Sequence, residues 1–137
     1  FVPNFGFVPI APTLPPVADQ MFTTDAHFED GLNRVWALAG RKSFDEAEAQ
    51  LMAIINASDS RGNNNYRAAE SLCASARLHA FDDDRTVYSW LRDRGITLWY
   101  AWGSGATSGG EGFTRGLEIH KAERDFADLE RKLGLKS

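Results

Sequence analysis

The sequence predicts a mainly α fold: a single domain of four to five helices, one short extended or β aromatic segment at about 96–102, and an extended proline-rich N-terminal arm. Three observations carry this expectation. From Thr23 onward, apolar residues recur at steps of three and four. All five prolines of the chain (Pro3, Pro9, Pro12, Pro15 and Pro16) lie in its first 22 residues. The run Ile96-Thr-Leu-Trp-Tyr-Ala-Trp102 is β-prone and apolar on both faces.

The arm, residues 1–22, differs in composition from everything after it. Each proline fixes φ, removes a backbone donor and pushes the preceding residue to extended conformations, so a polyproline-like or irregular segment is expected, with no helix before Met21. Asp19 is its only charge, and Phe1, Val2, Phe5, Phe7, Val8, Ile10, Leu14 and Val17 sit between the prolines. Proline-rich linkers that stay free in water are polar, whereas this segment would expose several large apolar side chains. Phe1, Val2, Phe5, Phe7, Val8, Ile10 and Leu14 are therefore the expected partner-binding residues. They cover either their own domain or a neighbouring chain.

The helical domain, 23–137, can be followed element by element. Thr24 can cap a first helix with Phe28, Leu32, Val35, Trp36 and Ala39 on its inner face, and Gly40 is a natural left-handed stop. Ser43-Phe-Asp-Glu46 has the spacing of a capping box and opens a second helix bearing Phe44, Ala47, Leu51, Ile54 and Ile55. The polar stretch Ser58 to Asn65 reads as a turn. A third helix aligns Tyr66, Ala69, Leu72, Cys73 and Ala76. Asp82-Asp83-Asp84 supplies caps for a short fourth helix with Val87, Trp90 and Leu91, which Gly95 is expected to end. After the aromatic segment comes a glycine-rich loop, 103–112. The last helix places Ile119, Ala122, Phe126, Leu129 and Leu133 on one stripe and closes at Gly134. No recurrence at a period of about 34 residues supports a helical-repeat solenoid.

Composition bounds the function classes. The chain has 137 residues, 43% of them apolar, and a formal net charge of −4 from 15 Lys+Arg and 19 Asp+Glu. This is enough apolar content for a real core, and no global positive field draws the protein to nucleic acid or anionic lipid. One cysteine, Cys73, excludes an intrachain disulfide and any cysteine-based zinc site. A reducing compartment or a virion is compatible with that usage, and localisation is otherwise unknown. No stretch approaches the roughly 18 apolar residues of a membrane span. The chain starts at Phe1 rather than Met, so it reads as a processed product or a piece of something longer. Its first basic residue is Arg34, so the start does not read as a signal peptide.

Candidate chemistry is sparse. His27-Phe-Glu-Asp30 and His120-Lys-Ala-Glu123 each place a histidine and a carboxylate three apart, but such spacings are common in charged helices and no metal site is expected. The glycines at 103, 105 and 109 give GxGxxxG rather than the dinucleotide fingerprint, and no Lys-Ser/Thr pair follows them, so no cofactor is expected. Arg92 and Arg94 lie beside aromatics, but four acidic residues between Asp82 and Asp93 offset the local arginines, which argues against nucleic acid. The expected role is a non-enzymatic structural or assembly subunit, or an adaptor. It would dock on protein neighbours in a homo- or hetero-oligomer through its arm, with a bacteriophage or other virion as one setting by analogy. The alternative is a small catalytic domain, a nuclease or hydrolase such as a toxin domain, with Glu118 and His120 as base and acid and Arg115 stabilising a developing anion.

Overall fold

In a computed structural model, which describes residues 25–57 and 63–134, five helices follow one another: α1 (Asp25–Gly40), α2 (Phe44–Asn56), α3 (Asn63–His79), α4 (Thr86–Gly103) and α5 (Gly109–Leu133). There is no strand among the described residues. The arm and its partner-binding candidates Phe1, Val2, Phe5, Phe7, Val8, Ile10 and Leu14 lie outside the described residues, as does the proposed cap Thr24.

The core forms where the apolar stripes meet. Phe28, Leu32 and Val35 of α1, Leu51 and Ile54 of α2, Leu72 of α3 and Leu91 of α4 are essentially inaccessible to water. Burying each such side chain contributes about 1.5–3 kcal/mol. Contacts fix the helix directions. Tyr66 near the start of α3 meets Trp102 near the end of α4, with ring centroids 5.1 Å apart. Gly95, midway along α4, backs onto Cys73 in the middle of α3, so α3 and α4 are antiparallel. Trp102 likewise meets Arg115 and Tyr88 meets Glu130, so α5 runs antiparallel to α4. Helix α2 leans on α4 by stacking Phe44 on Trp90 at 5.6 Å, and Arg94 approaches Glu48 at 2.7 Å as an ion pair outside hydrogen-bond alignment.

The aromatic segment is a correction to the extended reading: residues 96–102 continue α4 as helix. The apolar character on both faces has a different cause from the one inferred. Here α4 is sandwiched, with Leu98 and Trp99 buried and Gly103 lying under Ile119 of α5. A helix buried on two sides loses the one-sided stripe that identifies a helix in sequence. Gly95 is therefore not a stop. A Cβ at Gly95 would lie 2.6 Å from the Cys73 sulfur and 3.2 Å from the Cys73 backbone nitrogen. The missing side chain lets α3 and α4 approach along the small residues Ala69, Cys73 and Ala76, all buried. The glycine-rich loop is also shorter than expected, because α5 begins at Gly109 and takes Gly109, Gly110 and Gly112 into its first turn. Trp36, expected on the inner face of α1, is 38% exposed.

The helix ends obey the anticipated chemistry at shifted positions. Helix α1 closes with Ser43 N–H donating to Leu38 O and Lys42 N–H to Ala39 O, both at 2.9 Å. The left-handed residue of that motif is Lys42, at φ 65°, not Gly40. Ser43 stands at the N-cap of α2 but its hydroxyl makes no capping bond. The reciprocal cap is made at α5 instead. Ser108 Oγ accepts from Glu111 N–H at 3.0 Å, while the Glu111 carboxylate accepts from Thr107 N–H at 2.6 Å. That site has the same S-x-x-E spacing. Asp84 accepts from both the backbone N–H and the hydroxyl of Thr86 and pairs with Lys42, tying the start of α4 to the end of α1. The buried Asn64 amide donates to Ile54 O at 3.2 Å and Ala57 O at 2.8 Å, satisfying carbonyls at the end of α2. Gly134, at φ 71°, ends α5 as expected.

Two predictions follow from the α3–α4 contact and the caps. Gly95→Ala gains up to about 1 kcal/mol of helix propensity. The clash with Cys73 costs about 2–3 kcal/mol, so the net is destabilising. Urea unfolding will show the loss, and adding Cys73→Ala will recover part of it, a coupling that separate sites would not show. The second prediction concerns acid. The Lys42 ammonium, then Thr86, hold the Asp84 carboxyl well below the usual carboxylate range, and the Thr107 N–H lowers that of Glu111. Both acids stay ionised to lower pH in the folded than in the unfolded chain, so below about pH 4 the unfolded chain takes up protons first. The stability they contribute is whole above that pH and is lost as pH falls through their folded values. The melting temperature should drop below about pH 4, and drop less steeply in Asp84→Asn; equal slopes would refute the assignment.

Candidate functional site

Helix α4 positions three features that could meet a ligand or partner. At the end it shares with α5, the rings of Tyr66, Trp99 and Trp102 form one cluster, with centroids 5.1 to 5.3 Å apart. Arg115 closes this cluster. Its guanidinium lies 4.8 Å from the Trp102 ring centroid, donates to the Trp102 carbonyl at 2.5 Å and pairs with Glu111 at 3.1 Å. All of these partners are within the fold, so Arg115 latches the α4–α5 turn.

The second feature is a groove of about 460 Å³ along α4 and α5, with Ile96, Phe126 and Ala127 as apolar floor and Arg92, Asp93, Thr97, Glu123 and Glu130 as walls. Glu130 is the buried acid of the bundle, 4% exposed, and accepts from the Tyr88 hydroxyl at 2.5 Å and from Arg92 at 2.6 Å. Burial, then the bond to Glu130, pushes the Tyr88 hydroxyl well above its ordinary range. Arg92 also pairs with Asp93 at 2.9 Å, and Tyr100 donates to Glu123 at 2.7 Å, so the polar walls are held by pairing within the chain. The sequence reading did not single out Tyr88 or Glu130. The available signal was Glu130 itself, which falls on the apolar stripe four residues after Phe126, where an acid needs a partner.

The third feature is a smaller cavity of about 130 Å³ on the opposite side of the α4–α5 contact, lined by Glu70, Cys73, Arg77, Trp99, Glu118, Lys121, Ala122 and Asp125. Burial pushes the Cys73 thiol up to about 11, against smaller opposing pulls from Trp99 and Arg77. It stays a neutral thiol near pH 7, which is the wrong state for a nucleophile.

Of the three candidate catalytic residues, Glu118 lines this cavity, whereas His120 and Arg115 do not. Glu118 and His120 stand on either side of the buried Ile119, so their side chains leave α5 in different directions. The fold thus does not gather Arg115, Glu118 and His120 at one point. No group of three or more His, Cys, Asp or Glu placed to hold a metal ion exists among the described residues, and no helix among them is long and apolar enough to cross a membrane.

No known protein family matches the chain, and neither a curated protein nor a solved structure is detectably similar to it.

The Arg92–Glu130 pair is the test of whether the groove is built or incidental. Removing one partner of a pair whose acid is buried leaves a charge uncompensated. With Arg92 partly exposed, Arg92→Met should cost about 2 kcal/mol. In thermal unfolding, the double substitution Arg92→Met/Glu130→Met should cost less than the Arg92→Met and Glu130→Met losses added together, and additive losses would mean the pair carries no coupling.

Proposed function

We propose that the protein is a non-enzymatic assembly subunit or adaptor, anchored on neighbouring protein chains through residues 1–22. The observation that carries this reading is the composition of that segment: five prolines, one charge, and Phe1, Phe5, Phe7 and Ile10 among its apolar residues, joined to a helical domain that already has a core of its own. An apolar, donor-poor segment gains most by lying on another surface, where proline limits the entropy lost on docking. The polar groups of the bundle support the same reading. Arg115 serves the α4–α5 turn, Glu130 and Arg92 serve each other, and Glu111 and Asp84 cap helices. A bacteriophage or other virion is one setting in which such a subunit would work.

Light scattering on the full chain and on a variant lacking residues 1–22 tests the proposal. The full chain should assemble, with itself or with its native neighbour, and the truncated chain should remain a helical monomer with unchanged helix content and a melting temperature independent of concentration. Assembly that survives truncation would refute it. A catalytic reading would instead require an activity lost in His120→Ala with the fold intact, since an exposed position changes stability by only about 0.5 kcal/mol.

A further inference from the structure

We infer that the receiving surface for the N-terminal segment is one face of α5, running from Phe113 down into the α4–α5 groove, and that the segment seated there comes from a second copy of this chain. The inference rests on the reading of residues 1–22 as a docking arm and names what the arm docks on.

The start of α5 is the anomalous part of the bundle. Its first buried residue is Ile119, ten positions into the helix. Before it, Phe113 is 69% and Leu117 55% exposed, one turn apart on one face. Four glycines accompany them: Gly109, Gly110, Gly112 and Gly116. A Cβ at Gly109, Gly110 or Gly116 would meet nothing within 4 Å, and at Gly112 it would make only an ordinary contact with Ala106. Gly95 and Gly103 are different, because there a Cβ would strike the Cys73 sulfur and Ile119 Cδ1, each at 2.6 Å. The bundle therefore packs Cys73 against Gly95, down to its backbone nitrogen, and the tip of Ile119 against Gly103, but makes no such demand on the start of α5. Glycine weakens a helix relative to alanine. Bare helix backbone beside two exposed apolar side chains suits a chain that must approach closely.

The face continues beyond these residues. Phe113, Gly116, His120, Glu123, Ala127 and Glu130 follow one another at steps of three and four, a line that winds about 100° around α5 as it descends into the groove. Its lower part is the wall of the groove floored by Ile96, Phe126 and Ala127. From residue 113 to 130 the stripe measures about 26 Å at the helical rise. An extended proline-rich segment covers that length with about eight residues, the length of the stretch from Pro3 to Ile10. The segment carries no charge before Asp19, so the internally paired acids and arginine of the groove walls neither attract nor repel it.

The attachment point also fits. Phe28 in the first turn of α1 lies under Arg67 at 4.2 Å, Tyr66 meets Trp102, and Trp102 meets Arg115. The starts of α1, α3 and α5 are thus at one end of the bundle, so α1 begins at the end where the face opens. Two copies meeting at these ends can exchange segments about a two-fold axis, each giving and receiving one. A segment laid on its own domain would have nothing to offer a neighbour.

The test uses full-length chains. One chain carries Phe7→Cys and a second, isotopically heavy chain carries Phe113→Cys; they are mixed and mildly oxidised, with Cys73 buried and unreactive. A disulfide-linked pair containing one chain of each mass is expected. In parallel, Phe113→Ser/Leu117→Ser should weaken self-association about a hundredfold, with helix content unchanged. Chains that co-assemble without forming the mixed disulfide, and whose association the double serine variant leaves intact, would overturn this surface while sparing the docking-arm reading. An internal disulfide in a single chain carrying both cysteines, with no mixed species, would place the segment on its own domain and overturn the exchange. Monomers at every concentration, unaffected by loss of residues 1–22, would remove both.

Discussion

The close contact between α3 and α4 at Gly95 and Cys73 is the constraint on which the rest of the bundle depends. Because α4 has no side chain at Gly95, the Cys73 sulfur fits against its backbone and Ala69 and Ala76 are covered completely. That approach sets the depth at which Trp99 enters the core and brings Tyr66 onto Trp99 and Trp102 at the far end. It also fixes the face of α4 left for α5, on which Gly103 receives Ile119. Packed interiors have little room to rearrange, so Gly95 and Gly103, about two turns apart on α4, mark where α3 and α5 come closest to it.

With α4 covered on both sides, its polar groups have few places to go, and the fold pairs them internally. Glu130 reaches Tyr88 and Arg92 across the α4–α5 contact, and Arg115 closes the turn over Trp102. Such pairs contribute orientation more than stability, because bringing charges out of water costs about as much as their attraction returns. Among the described residues, the most exposed large apolar side chains are Leu78 and Phe81 at one end and Phe113 and Leu117 at the other. Only the second of these pairs stands beside bare glycines and a long groove, at the end of the bundle where α1 begins. For that reason an extended apolar segment suits that end and not the other.

Among the candidate site residues, the fold decides which neighbours each side chain meets. Arg115 carries the charge to steady an anion, and in the fold its guanidinium engages the Trp102 carbonyl and Glu111. Glu118 and His120 are near neighbours in sequence, yet the helix sends them to either side of Ile119. Glu130 went unremarked because an acid in a charged helix looks solvated, and burial became evident only once Tyr88 arrived from α4.

The sequence alone determined five helical segments' worth of local order. The stripes of α1, α2 and α5, the Asp84 cap at the start of α4 and the Gly134 stop are local matters of periodicity and backbone chemistry, and these hold without knowledge of neighbours. Tertiary structure decided the rest. Whether Gly95 ends a helix or lets another helix approach depends on Cys73, which lies 22 positions away. Whether residues 96–102 form a strand or a doubly covered helix depends on α3 and α5 both being present to bury them. Lys42 adopts the left-handed turn expected of Gly40 where its side chain can pair with Asp84 across the bundle. Each of these outcomes follows from a contact between residues distant in the chain, which local periodicity does not encode.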